Sequence, residues 1–313
     1  IGEKMKVSVV GLGKSGISAI NFLAKKGAKI FVSEGNIKQK ESLENMKISR
    51  LIEDFEIGHT QKILQDTDLV VLSPGVRTDL EIFKNADVEI ISELELGFRR
   101  LKTQNIIAVT GTNGKTTTVN LLHHILKELG KKSFLCGNVG TPITEIAEST
   151  DEDSFVVVEV SSYQLEKIDK FFAKSATVLN VTPDHLYRYR DMDHYALTKF
   201  NVFQNGCENI ILNLDDEYFD FYKKQLNGRN FRTFSLKNKA DIYYDFNKKQ
   251  IIMQSENFVL DVSKMKIFGL HNVANVMASI LLLNNFGLNL EKIKDAICSF
   301  EGLEHRLELV ANI

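Results

Sequence analysis

Residues 110–117, Thr110-Gly111-Thr112-Asn113-Gly114-Lys115-Thr116-Thr117, constrain this chain more than any other stretch. The run before them, 106–109, is apolar and strand-like, and 115–129 has the apolar spacing of an amphipathic helix. A glycine loop between a strand and a helix aims backbone N–H groups at one spot, and the helix N-terminus adds partial positive charge there. Such a loop holds phosphate. Lys115 would bridge the outer phosphates of a nucleotide, and Thr116 has the hydroxyl position that binds Mg²⁺ in phosphate loops. The match to GxxxxGK[ST] is imperfect, because Val109 stands where the first glycine would be. The loop is built on Gly111 and Gly114 instead.

An earlier loop, Gly11-Leu12-Gly13-Lys14-Ser15-Gly16, follows the strand-like run 6–10 and opens the helical pattern 17–26. Glu34 ends the next strand. Alone, this fits a dinucleotide fingerprint, with an acidic group for a ribose hydroxyl, or a tight strand-to-helix turn with no ligand. Two features weigh against a nicotinamide cofactor. A simple dehydrogenase needs no second phosphate loop. A further ligand-facing turn, Ser73-Pro74-Gly75-Val76, follows the strand ending at Leu72.

Candidate chemistry gathers at other strand ends. The apolar run 156–158 stops at Glu159, and a carboxylate so placed in a phosphate-loop protein commonly holds Mg²⁺. Ser161-Ser162-Tyr163-Gln164-Leu165-Glu166 follows at once. Asn180-Val181-Thr182-Pro183-Asp184-His185 ends the next strand and brings His185 to the same sheet edge. Lys199, in a helical stretch, looks by pattern like an ordinary helix lysine. Asn272 and Asn275, spaced i and i+3 at the start of a helix, share a face that could meet an adenine or a phosphate. Arg306 could hold a carboxylate or phosphate through paired donors.

The whole chain reads as α/β in two parts. In residues 1–102, short apolar strands alternate with helices, which implies a parallel sheet covered on both faces. A second such unit runs over 103–304 and includes strand-like runs at 241–246, 250–253 and 258–262 that read as a small antiparallel sheet. The 313 residues suit two domains. A net charge of -2, with 26% charged residues, offers no field to attract nucleic acid or an anionic membrane. Three scattered cysteines fit a reducing compartment. No stretch approaches the roughly 18 apolar residues of a membrane helix. Residues 1–6 lack a signal-peptide layout, so the cytoplasm is expected.

Together and in this order, TGTNGKTTT, EVSSYQLE, NVTPDH, GLHNVANVMAS and GLEHRLE resemble the Mur ligases of bacterial cell-wall synthesis, over about residues 5–309. EVSSYQLE and the GLGKSG and SPGV loops resemble the members that add D-glutamate. The resemblance implies a Rossmann-like domain for a UDP-linked substrate, then a phosphate-loop ATPase domain. The implied activity is ATP-dependent ligation of D-glutamate to UDP-N-acetylmuramoyl-L-alanine through an acyl phosphate, by a monomer. Lys14, Ser15, Ser73, Pro74 and Gly75 would hold the UDP part, and Glu34 would face the uracil or ribose. Asn138 and Ser161 would contact the substrate, with His185 beside it. Gly111, Thr112, Asn113, Gly114, Lys115, Thr116 and Thr117 would bind ATP, bordered by Asn272, Asn275 and Arg306. Thr116 and Glu159 would hold one Mg²⁺ and His185 a second, with Mn²⁺ as an alternative ion. Lys199 falls where the family carries a carbamylated lysine, which would supply a carboxylate-like group near that metal. Lys115, Glu159, His185 and Lys199 form the implied catalytic set.

The chain departs from the family pattern in places. Gly35 and Asn36 replace polar or charged residues often seen after the second strand, and Tyr187 replaces an acidic one. The chain ends at Ile313, just past GLEHRLE, where the resemblance puts the link to a third domain (305–313) that binds the incoming amino acid. Weak or no ligation by this chain alone is the expectation. The competing readings are a Mur-type ligase adding another residue, an NAD-dependent dehydrogenase, and a non-catalytic nucleotide-binding module.

Overall fold

Each short apolar run becomes a strand of a largely parallel sheet. The structure is a computed structural model that describes residues 4–302. The first part of the chain forms β1 (Lys6–Val10), α1 (Lys14–Lys25), β2 (Lys29–Glu34), α2 (Lys40–Ile48), β3 (Asp54–Ile57), β4 (Leu69–Leu72), β5 (Glu89–Ser92) and α3 (Glu93–Phe98). There follow β6 (Ile106–Thr110), α4 (Lys115–Glu128), β7 (Ser133–Gly137), α5 (Ile143–Ile146), β8 (Phe155–Glu159), α6 (Ser162–Leu165), β9 (Ser175–Val178), α7 (Met192–Phe200), β10 (Asn209–Asn213) and α8 (Phe219–Gln225). The last elements are β11 (Arg232–Ser235), β12 (Ile242–Asp245), β13 (Gln250–Met253), β14 (Phe258–Asp261), α9 (Leu270–Asn284) and α10 (Leu290–Ser299). Among the described residues no helix is long and apolar enough to cross a membrane.

The first unit holds the sheet β3-β2-β1-β4-β5, parallel throughout. β4 is buried along its length because helices and loops cover both faces, which is why it reads as an unbroken apolar run. Asp54–Ile57 has no such run and still forms β3, since an edge strand that packs only Phe55 and Ile57, each half-buried, against the core needs little apolar character. α1 buries Ala19, Ile20, Phe22 and Leu23 against the sheet. The helix can start so close to β1 only because residue 16 is glycine: a Cβ there would lie 2.0 Å from the Gly11 carbonyl oxygen.

The chain leaves this unit at Lys102 and returns to it at Gly140–Thr150 and Ser162–Phe171, so the unit is not one stretch of sequence. Two buried carboxylates of α3 anchor the returning segments. Glu93 accepts from the backbone N–H and hydroxyl of Thr144 at 2.9 and 2.6 Å. Glu95 accepts from the amides of Asp169, Lys170 and Phe171 at 2.8–3.0 Å and from Arg99 at 2.7 Å. A buried carboxylate is tolerated only with such partners. No sequence pattern announces this attachment, because both contacts span more than fifty residues.

The second unit holds a nine-stranded sheet, β14-β13-β12-β11-β10-β9-β6-β8-β7. The expected antiparallel strands are present, but they extend the main sheet and do not form a small sheet of their own. β12 pairs in parallel with β11, and β13 and β14 add antiparallel to it. The reason is a shared core: Ile242, Ile251, Met253, Phe258 and Leu260 pack in one cluster with Ile107, Val109, Val119 of α4 and Val276 of α9. α9, buried along most of its length, is packed against α4 at the centre of that cluster.

Candidate active site

In the second unit, β6 enters the phosphate loop and α4 leaves it. The loop is clamped by the strand end next door. Asn180 takes the Thr112 amide on its carbonyl at 2.9 Å and the Asn113 amide on Oδ1 at 2.8 Å. Its Nδ2 donates to the Asn113 carbonyl at 3.0 Å. Thr182 N donates to the Thr112 hydroxyl, which faces the Thr182 carbonyl at 3.1 Å. The NVTPDH stretch thus fixes the loop as well as carrying His185. On the other side, Asn275 Oδ1 lies 2.6 Å from where a Cβ on Gly114 would stand. Asn275 donates to Asn272 Oδ1 at 3.3 Å, so the two amides of α9 form one buried pair against the loop.

Lys115 donates to the carbonyls of Gly111 and Thr112, at 2.8 Å each. Lys199 reaches the Gly111 carbonyl from α7 at 3.1 Å and sits over the Tyr195 ring, 4.4 Å from its centroid. It is 1% exposed, which its helical pattern did not signal. Burial, and then the nearby Lys115 charge, push its amine down to about 7, while Asp184 opposes. A lysine so placed has a substantial unprotonated fraction at neutral pH and can act as a nucleophile.

Glu159 ends β8 and is 1% exposed. Its Oε1 accepts from Asn138 Nδ2 at 2.9 Å, and its backbone carbonyl accepts the Asn138 amide at 2.9 Å. Among the described residues its Oε2 is buried with no hydrogen-bond partner, as is the Thr110 hydroxyl on β6. An orphaned buried carboxylate oxygen beside a phosphate loop suits a cation. Thr116 and Thr117 lie half-buried in the first turn of α4, and Ser161 is half-buried just past β8. His185, in the left-handed region at φ +54°, has Asp184 3.5 Å from its Nε2 and the Tyr187 ring beside it. Among the described residues no three His, Cys, Asp or Glu side chains cluster as a metal cage. Arg306 lies outside the described residues.

The first unit carries its own cavity, of about 460 Å³, at the C-terminal ends of β1, β2, β3 and β4. In an open parallel sheet this edge is where ligands bind. Lys14, Ser15, Glu34, Ser73, Pro74 and Gly75 all line it. Ser73 donates its hydroxyl proton to the Gly11 carbonyl at 2.8 Å and so braces the wall. Glu34 accepts from the amides of Leu12 and Asn36, at 2.5 and 2.8 Å. His59, which no motif singles out, also faces the cavity.

Residues 5–92 match the family model described as Mur ligase MurD-like, N-terminal domain, and residues 109–283 match Mur ligase middle domain. The UDP-N-acetylmuramoylalanine–D-glutamate ligase of Lachnoclostridium phytofermentans is 37% identical over 97% of this chain and 69% of its own length. That of Clostridioides difficile is 37% identical over 98% of this chain and 70% of its own. Among solved structures, the UDP-N-acetylmuramate:L-alanyl-gamma-D-glutamyl-meso-diaminopimelate ligase from Neisseria meningitides aligns with TM-score 0.61 at 14% identity, over 96% of this chain and 99% of that one. A bifunctional folylpolyglutamate synthase/dihydrofolate synthase solved with Mn, AMPPNP and L-glutamate bound aligns with TM-score 0.52 at 16% identity, over 70% of this chain and 64% of that one. With two family models covering most of its length, and relatives at this identity, the chain belongs to the Mur ligase family of peptidoglycan synthesis.

Proposed function

We propose that this chain supplies the UDP-substrate and ATP sites for ATP-dependent ligation of D-glutamate to UDP-N-acetylmuramoyl-L-alanine, in the cytoplasm and as a monomer. The observation that carries this reading is the meeting of Lys115 and Lys199 on Gly111 in the loop between β6 and α4, with the buried Glu159 closing the neighbouring strand. The names of the relatives supply the substrates. Its domains would be residues 1–102 with the returning segments for the UDP substrate, and the second unit for ATP.

In the first step an oxygen of the substrate's terminal alanine carboxylate bonds to the γ-phosphorus of ATP as the bond to ADP breaks. In the second the D-glutamate amine attacks the acyl carbon, loses a proton and expels phosphate. Lys115 would turn from the Gly111 and Thr112 carbonyls to the β- and γ-phosphates, where a cation lowers the cost of developing charge. The loop amides of residues 111–117 would hold the remaining phosphate oxygens, and Asn272 and Asn275 would border the nucleotide. Thr116 and Glu159 would hold one Mg²⁺, and His185 with a carbamylated Lys199 a second. Mg²⁺ there would neutralise negative charge on the transferring phosphoryl group. The unprotonated amine of Lys199 is the form that adds CO₂, and burial provides it. Asn138 would orient Glu159 and, with Ser161, face the alanine end of the substrate.

Titration calorimetry with UDP-N-acetylmuramoyl-L-alanine, with NAD as control, tests the binding half. Saturable binding of the first and none of the second is expected. Hydroxylamine trapping tests the chemistry: ATP and the UDP substrate should yield a hydroxamate without D-glutamate. Binding of NAD in place of the UDP compound would overturn the reading.

A further inference from the structure

The cavity of the first unit has one wall made by the loops after β2 and β3, lined by Glu34, Gly35 and His59. Two of these are less free to read a ligand's base. Both oxygens of Glu34 already accept backbone amides, from Leu12 and Asn36. Gly35 has no side chain, although it stands where a polar group is expected. His59 remains.

Its ring is held in a defined state by three neighbours. Nδ1 lies 2.9 Å from the Ser33 hydroxyl. That hydroxyl has two other partners, Glu56 Oε1 at 2.8 Å and the Gly58 carbonyl at 3.1 Å, and both can only accept. The single hydroxyl proton goes to one of them, so Nδ1 must donate to Ser33. In the neutral ring Nε2 is then an acceptor. Glu56 is itself fixed by the Thr60 amide at 3.0 Å and the Thr60 hydroxyl at 2.6 Å, so the row behind the ring is braced. Nε2 faces Gly35: a Cβ there would lie 3.3 Å from it. Glycine at 35 therefore uncovers the ring nitrogen.

We propose that His59 selects the base of the nucleotide in this cavity, its Nε2 accepting the ring N–H of uracil, with Gly35 leaving that nitrogen open. This rests on reading the cavity as the uridine-nucleotide site. The glycine loop and the start of α1 face the phosphates at one end, and His59 reads the base at the other. Cytosine presents a lone pair where uracil presents N–H, so it would meet Nε2 lone pair to lone pair and be rejected. One ordinary hydrogen bond gained against one repulsion is worth about tenfold in affinity.

Calorimetry of the whole chain with UDP and with CDP tests this, on the unmodified protein, His59→Ala and Gly35→Ala, each checked for an unchanged melting curve. The expected result is that the unmodified chain binds UDP about tenfold tighter than CDP, and that both variants bind UDP no better than CDP. If the unmodified chain binds neither nucleotide, the uridine reading of the cavity falls and this proposal with it. If it prefers UDP and a folded His59→Ala keeps that ratio, His59 is not the selecting residue and the site reading stands. Should His59→Ala fail to fold, Gly35→Ala decides by the same ratio, because its added methyl covers Nε2 while leaving the histidine in place.

Discussion

The amines of Lys115 and Lys199 share one acceptor, the carbonyl oxygen of Gly111, at 2.8 and 3.1 Å. Two cations on one carbonyl repel, and that repulsion adds to burial in lowering the Lys199 amine to about 7, where a substantial fraction is unprotonated at neutral pH. An unprotonated buried lysine is what carbamylation requires. With ¹³C-labelled bicarbonate, a carbamate carbon resonance should appear in the unmodified chain and be missing in Lys199→Ala. Persistence of the signal in that variant would place the carbamate elsewhere.

Asn138 is the one described side chain that hydrogen-bonds Glu159. Asn138→Leu leaves the buried carboxylate without a partner to orient it. Mn²⁺ binding in the presence of a non-hydrolysable ATP analogue, followed by electron paramagnetic resonance, should weaken by about tenfold, as groups that orient a ligand typically cost. Unchanged Mn²⁺ affinity would mean that Asn138 serves the substrate alone.

Gly137 pairs with Glu159 across β7 and β8, in the left-handed region at φ +105°. A Cβ there would lie 2.2 Å from the Glu159 carbonyl oxygen, which is backbone and cannot swing away. Gly137→Ala should therefore destabilise the second unit by about 3 kcal/mol or more. Thermal unfolding checks it, and a melting temperature equal to the unmodified chain's would refute the clash.

Glu93 ties α3 to Thr144 in the first unit, and burial pushes its carboxyl up from 4.5 to about 7 against the opposing Thr144 hydrogen bonds. The folded state thus holds this proton more tightly than the unfolded chain. The resulting stability is present in full below pH 4.5 and is lost as the pH rises through about 7. The most it can contribute is about 3 kcal/mol. Glu93→Gln keeps an acceptor for Thr144 without the titration. Its stability should change less between pH 5 and pH 8 than that of the unmodified chain, and should exceed it at pH 8. Equal pH slopes in urea unfolding would show that Glu93 does not titrate in this range.

The phosphate loop, the strand-end carboxylate Glu159 and the alternation of strand and helix were all legible in the sequence. Each is local: a glycine spacing, an apolar run of four or five residues, or a polar residue at its end. Local patterns report backbone geometry directly, since covalent neighbours cannot drift apart. The burial of Lys199, the Asn138–Glu159 bond, the clamp of Asn180 on the loop and the capture of residues 169–171 by Glu95 were not legible. Each joins residues distant in sequence, and nothing in a lysine or glutamate marks it as one that folding will desolvate. β12 carried its strand pattern in the sequence, but whether it started a new sheet or extended the old one depended on Phe234 pairing with Ile242 over a common core. His59 shows the same division, as one imidazole in a polar stretch until Ser33, Glu56 and Gly58 hold its ring at the cavity wall. The sequence alone determined which backbone turns could hold phosphate. Only tertiary packing decided which side chains lost their water and which partners replaced it.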